Sequence, residues 1–173
     1  KKNKIRSPNY FSFIKNEFNK RNLNKSIKKN NIKFPIVVKP VNEGSSIGVK
    51  ICPNINTLFK STNSLFKKYS ELIFEPFIDG QEIQVAVING EPLGAIELKP
   101  RRKFYDYKAK YSKAAKTKHI MPASLKKSKY VEVLKIAKKA HNVLGCRGVT
   151  RSDFKFFKNQ FYLLELNTQP GMT

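Results

Sequence analysis

Cysteine is nearly absent. The two in 173 residues, Cys52 and Cys146, have no metal-binding or redox spacing around them. That argues against a disulfide framework or a thiolate metal site and fits structural thiols in a reducing, cytoplasmic setting. Long apolar runs are also missing. The longest fall far short of the ~20 residues that span a bilayer, so no membrane partner is expected. The N-terminal stretch is polar and lysine-rich, without a signal-peptide pattern. Acidic residues are few, 12 against 35 Lys+Arg, for a formal net charge of +23. Arginine is short as well, with 6 residues against 29 lysines. Base readout and bidentate phosphate clamps favour arginine, so a dedicated nucleic-acid surface is disfavoured. What is present argues against disorder: 13 Phe and 7 Tyr among 40% hydrophobic residues can build a core. The length suits one domain, or two small layers sharing a site.

The charge is localised. Residues 1–33 hold 11 basic and 1 acidic side chains, and residues 99–139 hold 15 and 2, which together account for all of the +23. The remainder is neutral. With 16 Asn beside the lysines, the basic blocks read as compositional drift of exposed positions more than as a polyanion surface.

Periodicity gives a coarse map. Ser7-Pro8 followed by Phe11, Ile14 and Phe18 predicts an N-terminal helix. FPIVVKPV (34–41) predicts a buried strand, NEGSSIG (42–48) a small-residue loop, VKIC a short strand, and the segment from Asn54 an amphipathic helix. ELIFEPF (71–77) is a strand. QEIQVAVI (81–88) and PLGAIEL (92–98) flank Asn89-Gly90 as a hairpin. Residues 99–127 read as a long loop. Residues 128–144 read as a helix with Val131, Leu134, Ala137 and Leu144 inward and Gly145 as its stop. RGVTRSDFKF (147–156) and FYLLELN (161–167) form a last hairpin around Lys158-Asn159. The order suggests two α+β layers joined near residue 77.

Several residues carry chemistry. Glu165 and Asn167 stand at i and i+2, on one face of a strand, and Asp153 lies on the neighbouring strand. Three oxygen donors without His or Cys suit a hard cation, Mg²⁺ or Mn²⁺; the plainer alternative is a cross-strand polar group on a solvated face. Arg151, two residues before Asp153, could stabilise an oxyanion or simply neutralise that carboxylate. EGSSIG (43–48) could bind phosphate through Ser hydroxyls and backbone amides, with Lys39 pointing the same way, or be an ordinary turn. FYDYKAKY (104–111) interleaves aromatics and lysines, which suits stacking on bases, closing over a phosphorylated substrate, or a solvated loop. His119 and His141 have no partner at triad spacing and read as bystanders.

Taken in order, VVKP, EGSSIG, a Glu-ended strand, Gly-Gln-Glu, FYDYKAKY, CRGVTRSDF and LLELNTQPGMT closely resemble the D-alanine–D-alanine ligases. These are ATP-grasp enzymes of peptidoglycan precursor synthesis. The resemblance spans residues 34–173 and more loosely 1–33. It implies an α+β ATP-grasp fold with two subdomains, 1–77 and 78–173, gripping the nucleotide between them. It implies ATP, two Mg²⁺ (or Mn²⁺) ions and D-alanine as partners, and leaves room for a homodimer of the full-length enzyme.

By the same resemblance, Lys39 and Ser46 would hold the ATP phosphates. Glu75, Pro76, Phe77 and Ile78 would receive the adenine, Glu82 the ribose, and Phe104 would pack near the base. Lys110 would contact the transferred phosphate. Asp153, Glu165 and Asn167 would ligate the two ions. Ser45 and Tyr111 would close the loop over substrate, and Arg151 with the Gly171 N–H would form the oxyanion hole. The family's N-terminal domain and its tail beyond PGMT have no counterpart in these residues, so the expectation is a fragment that binds nucleotide without forming dipeptide. Two alternatives stay open: another ATP-grasp carboxylate–amine ligase, and a non-catalytic basic nucleic-acid-binding protein.

Overall fold

The computed structural model describes residues 3–99 and 117–171. These fall into two compact units. The first is Pro8–Phe77; the second takes the described residues 3–7, 78–99 and 117–171.

In the first unit, β1 (Phe11–Ile14), β2 (Ile36–Pro40), β3 (Lys50–Cys52) and β4 (Glu71–Pro76) form an antiparallel sheet in the order β1-β4-β2-β3. Helices α1 (Lys20–Lys29) and α2 (Ile55–Leu65) supply the other half of its core. Each begins at an asparagine. Asn19 Oδ1 accepts from the Asn22 N–H at 2.8 Å, and Asn54 Oδ1 from the Thr57 N–H at 2.9 Å, satisfying amides that the first turn leaves unpaired. Ile36, Val38, Leu72, Phe74, Phe11 and Phe13 point to the helices and meet Leu23, Leu58 and Leu65.

The second unit holds β5 (Gln81–Ile88), β6 (Glu91–Lys99), β7 (Lys118–Ile120), β8 (Val149–Phe157) and β9 (Gln160–Asn167), ordered β7-β6-β5-β8-β9 and antiparallel throughout. Helix α3 (Lys127–Val143) covers one face, where Ile83, Val85, Val87, Ala95 and Phe154 pack with Val133 and Ala137. Asn89 and Gly90 turn the first hairpin with φ of 49° and 83°, and Lys158 and Asn159 turn the second with 46° and 62°. Both pairs sit in the left-handed region that tight two-residue hairpins require. Residues 3–7 belong with this unit: the Leu163 N–H donates to the Arg6 carbonyl at 2.9 Å, and the Arg6 guanidinium reaches Gln160 and the Tyr162 ring.

Three expectations need correction. The N-terminal segment is not a helix over Phe11, Ile14 and Phe18. Phe11 and Phe13 are buried and Ser12 and Ile14 exposed, the period of a strand paired to β4. On α3 the buried stripe is Val133, Ala137, Ala140 and His141, while Val131 and Leu144 are exposed. Residues 99–127 are not loop throughout, since β7 lies within them and pairs with the end of β6.

Candidate functional site

In the first unit, alternation along β2 and β4 puts Ile36, Val38, Leu72 and Phe74 into the core, so Lys39 and Glu75 share the opposite face. Lys39 Nζ donates to Glu75 Oε1 at 2.7 Å. The lysine of VVKP is therefore a cation fixed above the sheet. Pro76 ends β4, and the Phe77 N–H donates to the Pro35 carbonyl at 2.8 Å.

The loop after β2 has unusual backbone. Ser45 and Ser46 adopt φ of 52° and 62°, a region that costs a non-glycine residue energy and is held only where surrounding contacts demand it. The Ile47 N–H bonds the Gly44 carbonyl at 2.9 Å and the Val49 N–H the Ser46 carbonyl at 3.3 Å. Gly48, at φ 73°, has no room for a side chain: a Cβ there would lie 2.8 Å from Pro40 Cγ. Turns of this kind expose backbone N–H groups suited to an anion.

In the second unit, Ser152 and Phe154 point toward the α3 face of the sheet. Arg151, Asp153 and Lys155 consequently line the other face of β8. β9 brings Glu165 opposite Asp153 and Asn167 opposite Arg151. Arg151 clamps Asp153 with two bonds, Nε–Oδ1 at 2.7 Å and Nη2–Oδ2 at 2.9 Å, and Asn167 Nδ2 lies 3.5 Å from Asp153 Oδ2. Burial, the largest cause, and the nearby Glu165 together hold the Asp153 carboxyl up at about 6 against the downward pull of Arg151. Glu165 itself is exposed.

The structure thus brings together Asp153, Glu165, Asn167 and Arg151. No cluster of three His, Cys, Asp or Glu side chains occurs among the described residues, so the donor set is two carboxylates and an amide. Oxygen donors with one exposed and one buried carboxylate fit a hard divalent cation that keeps waters and substrate oxygens in its shell.

Glu82 stands on β5 opposite Lys155 and pairs with it at 3.0 Å. Lys155 is absent from the sequence-based candidates. The same i, i+2 step that links Arg151 to Asp153 reaches it next. Ile78 accepts the Gly80 N–H at 3.1 Å through its carbonyl, and Gly171 is exposed. Phe104, Lys110 and Tyr111 lie outside the described residues. Two buried polar groups, His141, read as a bystander from sequence, and Glu97, not singled out there, have structural partners. His141 is buried, with Nδ1 2.8 Å from Thr150 Oγ1. Glu97, also buried, meets Gln81 Nε2, the Ser124 N–H and Lys99 on the α3 side of the sheet, away from Asp153.

A family model described as the D-ala D-ala ligase C-terminus matches residues 1–173. The chain belongs to the D-alanine–D-alanine ligase family. It is 56% identical over 172 residues to a D-alanine–D-alanine ligase of Pelagibacter ubique, covering 99% of this chain and 55% of that protein. To one of Citrifermentans bemidjiense it is 46% identical over 141 residues, 81% of this chain and 46% of the relative. Among solved structures, the Bacillus anthracis D-alanine–D-alanine ligase superposes with a TM-score of 0.81 at 32% identity, covering 98% of this chain and 53% of that one. The VanG D-Ala:D-Ser ligase of Enterococcus faecalis gives 0.82 at 28%, with 99% and 50% covered. The chain spans about half the length of the relatives it matches. The fold is α+β, of the ATP-grasp kind common to this family. No described helix is long and apolar enough to cross a membrane.

Proposed function

We propose that this chain supplies the nucleotide- and metal-binding part of an ATP-dependent ligase that joins two D-alanines for peptidoglycan precursors. The two units are read as the central and C-terminal ATP-grasp subdomains, divided after Phe77. The observation that carries this reading is the cluster of Asp153, Glu165 and Asn167 with Arg151 on one face of β8 and β9. Family membership supports it, as does a neighbour at 28% identity and TM-score 0.75, a D-alanine–D-alanine ligase of Bacillus anthracis complexed with ATP.

On this reading Lys39 and Ser46 take phosphate oxygens, as does Lys110. Glu75, Pro76, Phe77, Ile78 and Phe104 receive the adenine and Glu82 the ribose. Asp153, Glu165 and Asn167 hold two Mg²⁺ or Mn²⁺ ions. Such ions neutralise charge on a phosphoryl group in transfer to the carboxylate of the first D-alanine. Arg151, oriented by its two bonds to Asp153, would stabilise the oxyanion that forms when the second D-alanine's amine attacks the acyl phosphate. The Gly171 N–H is its companion donor. Ser45 and Tyr111 close the substrate from water, which would otherwise hydrolyse the acyl phosphate.

Calorimetric titration with ATP tests the reading. Binding should require Mg²⁺, and Lys39→Ala and Glu165→Ala should each weaken it by about tenfold or more, as expected for loss of a charged contact to phosphate or metal. Metal-independent binding, or unchanged affinity in both variants, would overturn it.

A further inference from the structure

The polar face of the second sheet holds a cation that the proposed reaction leaves without a task. Lys155 and Glu82 are cross-strand neighbours on β8 and β5, and each side chain is 15% exposed. Lys155 Nζ donates to Glu82 Oε2 at 3.0 Å and lies 3.5 Å from the Gly80 carbonyl oxygen. Two backbone features hold this geometry. A Cβ on Gly80 would lie 2.4 Å from the Phe156 carbonyl oxygen, so glycine lets the start of β5 approach β8. Phe154 is anchored in the core and Phe156 packs against it, which turns Lys155, between them in sequence, to the opposite face.

The consequence is directional. Lysine occupies one oxygen of the Glu82 carboxylate. Among the described residues the other, Oε1, has no protein partner. A half-buried carboxylate fixed through one oxygen presents the second as an acceptor at a set position. Hydroxyl pairs, which donate, suit such an acceptor. A glutamate without the lysine has three free torsions and loses that orientation.

We propose that Lys155 is a positioning residue that orients Glu82 toward the ribose hydroxyls, so that the Lys155–Glu82 pair makes the site select ribonucleotides over 2′-deoxyribonucleotides. The proposal rests on the reading of Glu82 as the ribose acceptor. Lys155 touches no nucleotide atom in this scheme and acts through Glu82.

The test compares ATP with 2′-deoxyATP in Mg²⁺-dependent binding to the complete protein, unsubstituted and as Lys155→Met, Lys155→Arg and Glu82→Gln. The unsubstituted protein should prefer ATP. Lys155→Met should weaken ATP by about fivefold, the size expected when one charge-assisted contact loses its geometry, and should weaken 2′-deoxyATP, which keeps only the 3′-hydroxyl, distinctly less. Lys155→Arg should restore most of the preference. A Lys155→Met, Glu82→Gln double variant should lose no more than Glu82→Gln alone. Equal weakening of both nucleotides by Lys155→Met would overturn the proposal, because a phosphate contact or a general loss of structure acts on both. An unchanged preference in Lys155→Met beside a lost one in Glu82→Gln would overturn it and leave the ribose reading standing. Absence of ATP binding by the unsubstituted protein, or no preference in it, would overturn both.

Discussion

The two sheets follow one plan and use it to different extents. Each buries one face against helices and leaves acid–base pairs on the other: Lys39–Glu75 in the first unit, Arg151–Asp153 and Lys155–Glu82 in the second. Strand length accounts for part of the difference. β2 and β4 have five and six residues, and β8 has nine, so a single strand of the second sheet offers Arg151, Asp153 and Lys155 in a row. The covered faces differ too. The first core is aromatic, with Phe11 stacked on Phe74 at 4.9 Å, Phe13 edge-on to both, and Phe18 against Phe59 and Phe66. The second is largely aliphatic, with Phe154 meeting Phe161 edge-on at 6.2 Å. A short sheet thus gains cohesion from rings, and a long one gains room for polar side chains.

The largest expected effect probes the cores. Phe74→Ala and Phe154→Ala each empty a fully buried ring site on a central strand and should cost about 3–5 kcal/mol by urea unfolding. Phe74 should be the costlier, since it loses two ring contacts, to Phe11 and Phe13, where Phe154 loses one, to Phe161, each worth about 0.5–1.5 kcal/mol. A larger loss at Phe154 would break the distinction between an aromatic and an aliphatic core.

Next in size are two glycines. Gly80→Ala in the second unit forces a Cβ within 2.4 Å of a backbone oxygen, and overpacking of that kind costs about 1–3 kcal/mol. Gly44→Ala in the first has no heavy atom within 4 Å of the added carbon and should fall within about 0.5 kcal/mol of the parent. Equal shifts in melting temperature would mean that the close approach of β5 to β8 is softer than the geometry implies.

Where side-chain period and turn chemistry agree, the sequence announces the fold. The hairpins at Asn89-Gly90 and Lys158-Asn159, the asparagine-led α2 and the buried β2 follow from local pattern alone. Errors arise where packing overrides it. Ile14 and Phe18 mimic a helical repeat, yet Ile14 is 45% exposed and pairing with β4 decides the segment. The buried stripe of α3 runs through two alanines and a histidine, residues that hydropathy barely marks. β7 is Lys118-His119-Ile120, a strand made by backbone pairing with no apolar alternation to reveal it. At the site, Asp153, Arg151, Glu165 and Asn167 were legible because an i, i+2 step and one hairpin relate them. Glu82 and Lys155 lie 73 residues apart, and their pairing needed the β5–β8 register, which no local pattern encodes.

A smaller effect separates buried polar contacts from the site itself. Thr150→Val keeps the shape of a buried residue but leaves His141 Nδ1 without its partner at 2.8 Å, which should cost about 1–2 kcal/mol. Because Thr150 points to α3 while its neighbour Arg151 points to the polar face, Mg²⁺-dependent ATP affinity should stay within about twofold. A large fall in affinity would show that the two faces of the second sheet are coupled.

The smallest effect concerns ion pairs away from the polar faces. Lys138 on α3 meets Glu91 on β6 with side chains 42% and 73% exposed, whereas Lys155 and Glu82 are each 15% exposed. Water screens the former, and holding two long side chains together offsets most of the remaining attraction. Lys138→Ala should therefore change stability by less than about 0.5 kcal/mol, and what change there is should vanish in high salt. Lys155→Ala leaves a half-buried carboxylate unpaired, a loss that salt cannot conceal because the cost lies in desolvation. Measuring both variants at low and high ionic strength separates the cases. If the two lost stability equally and shared one salt dependence, the Lys155–Glu82 pair would rank as ordinary surface charge, and the contrast between the second sheet's polar face and its periphery would fail.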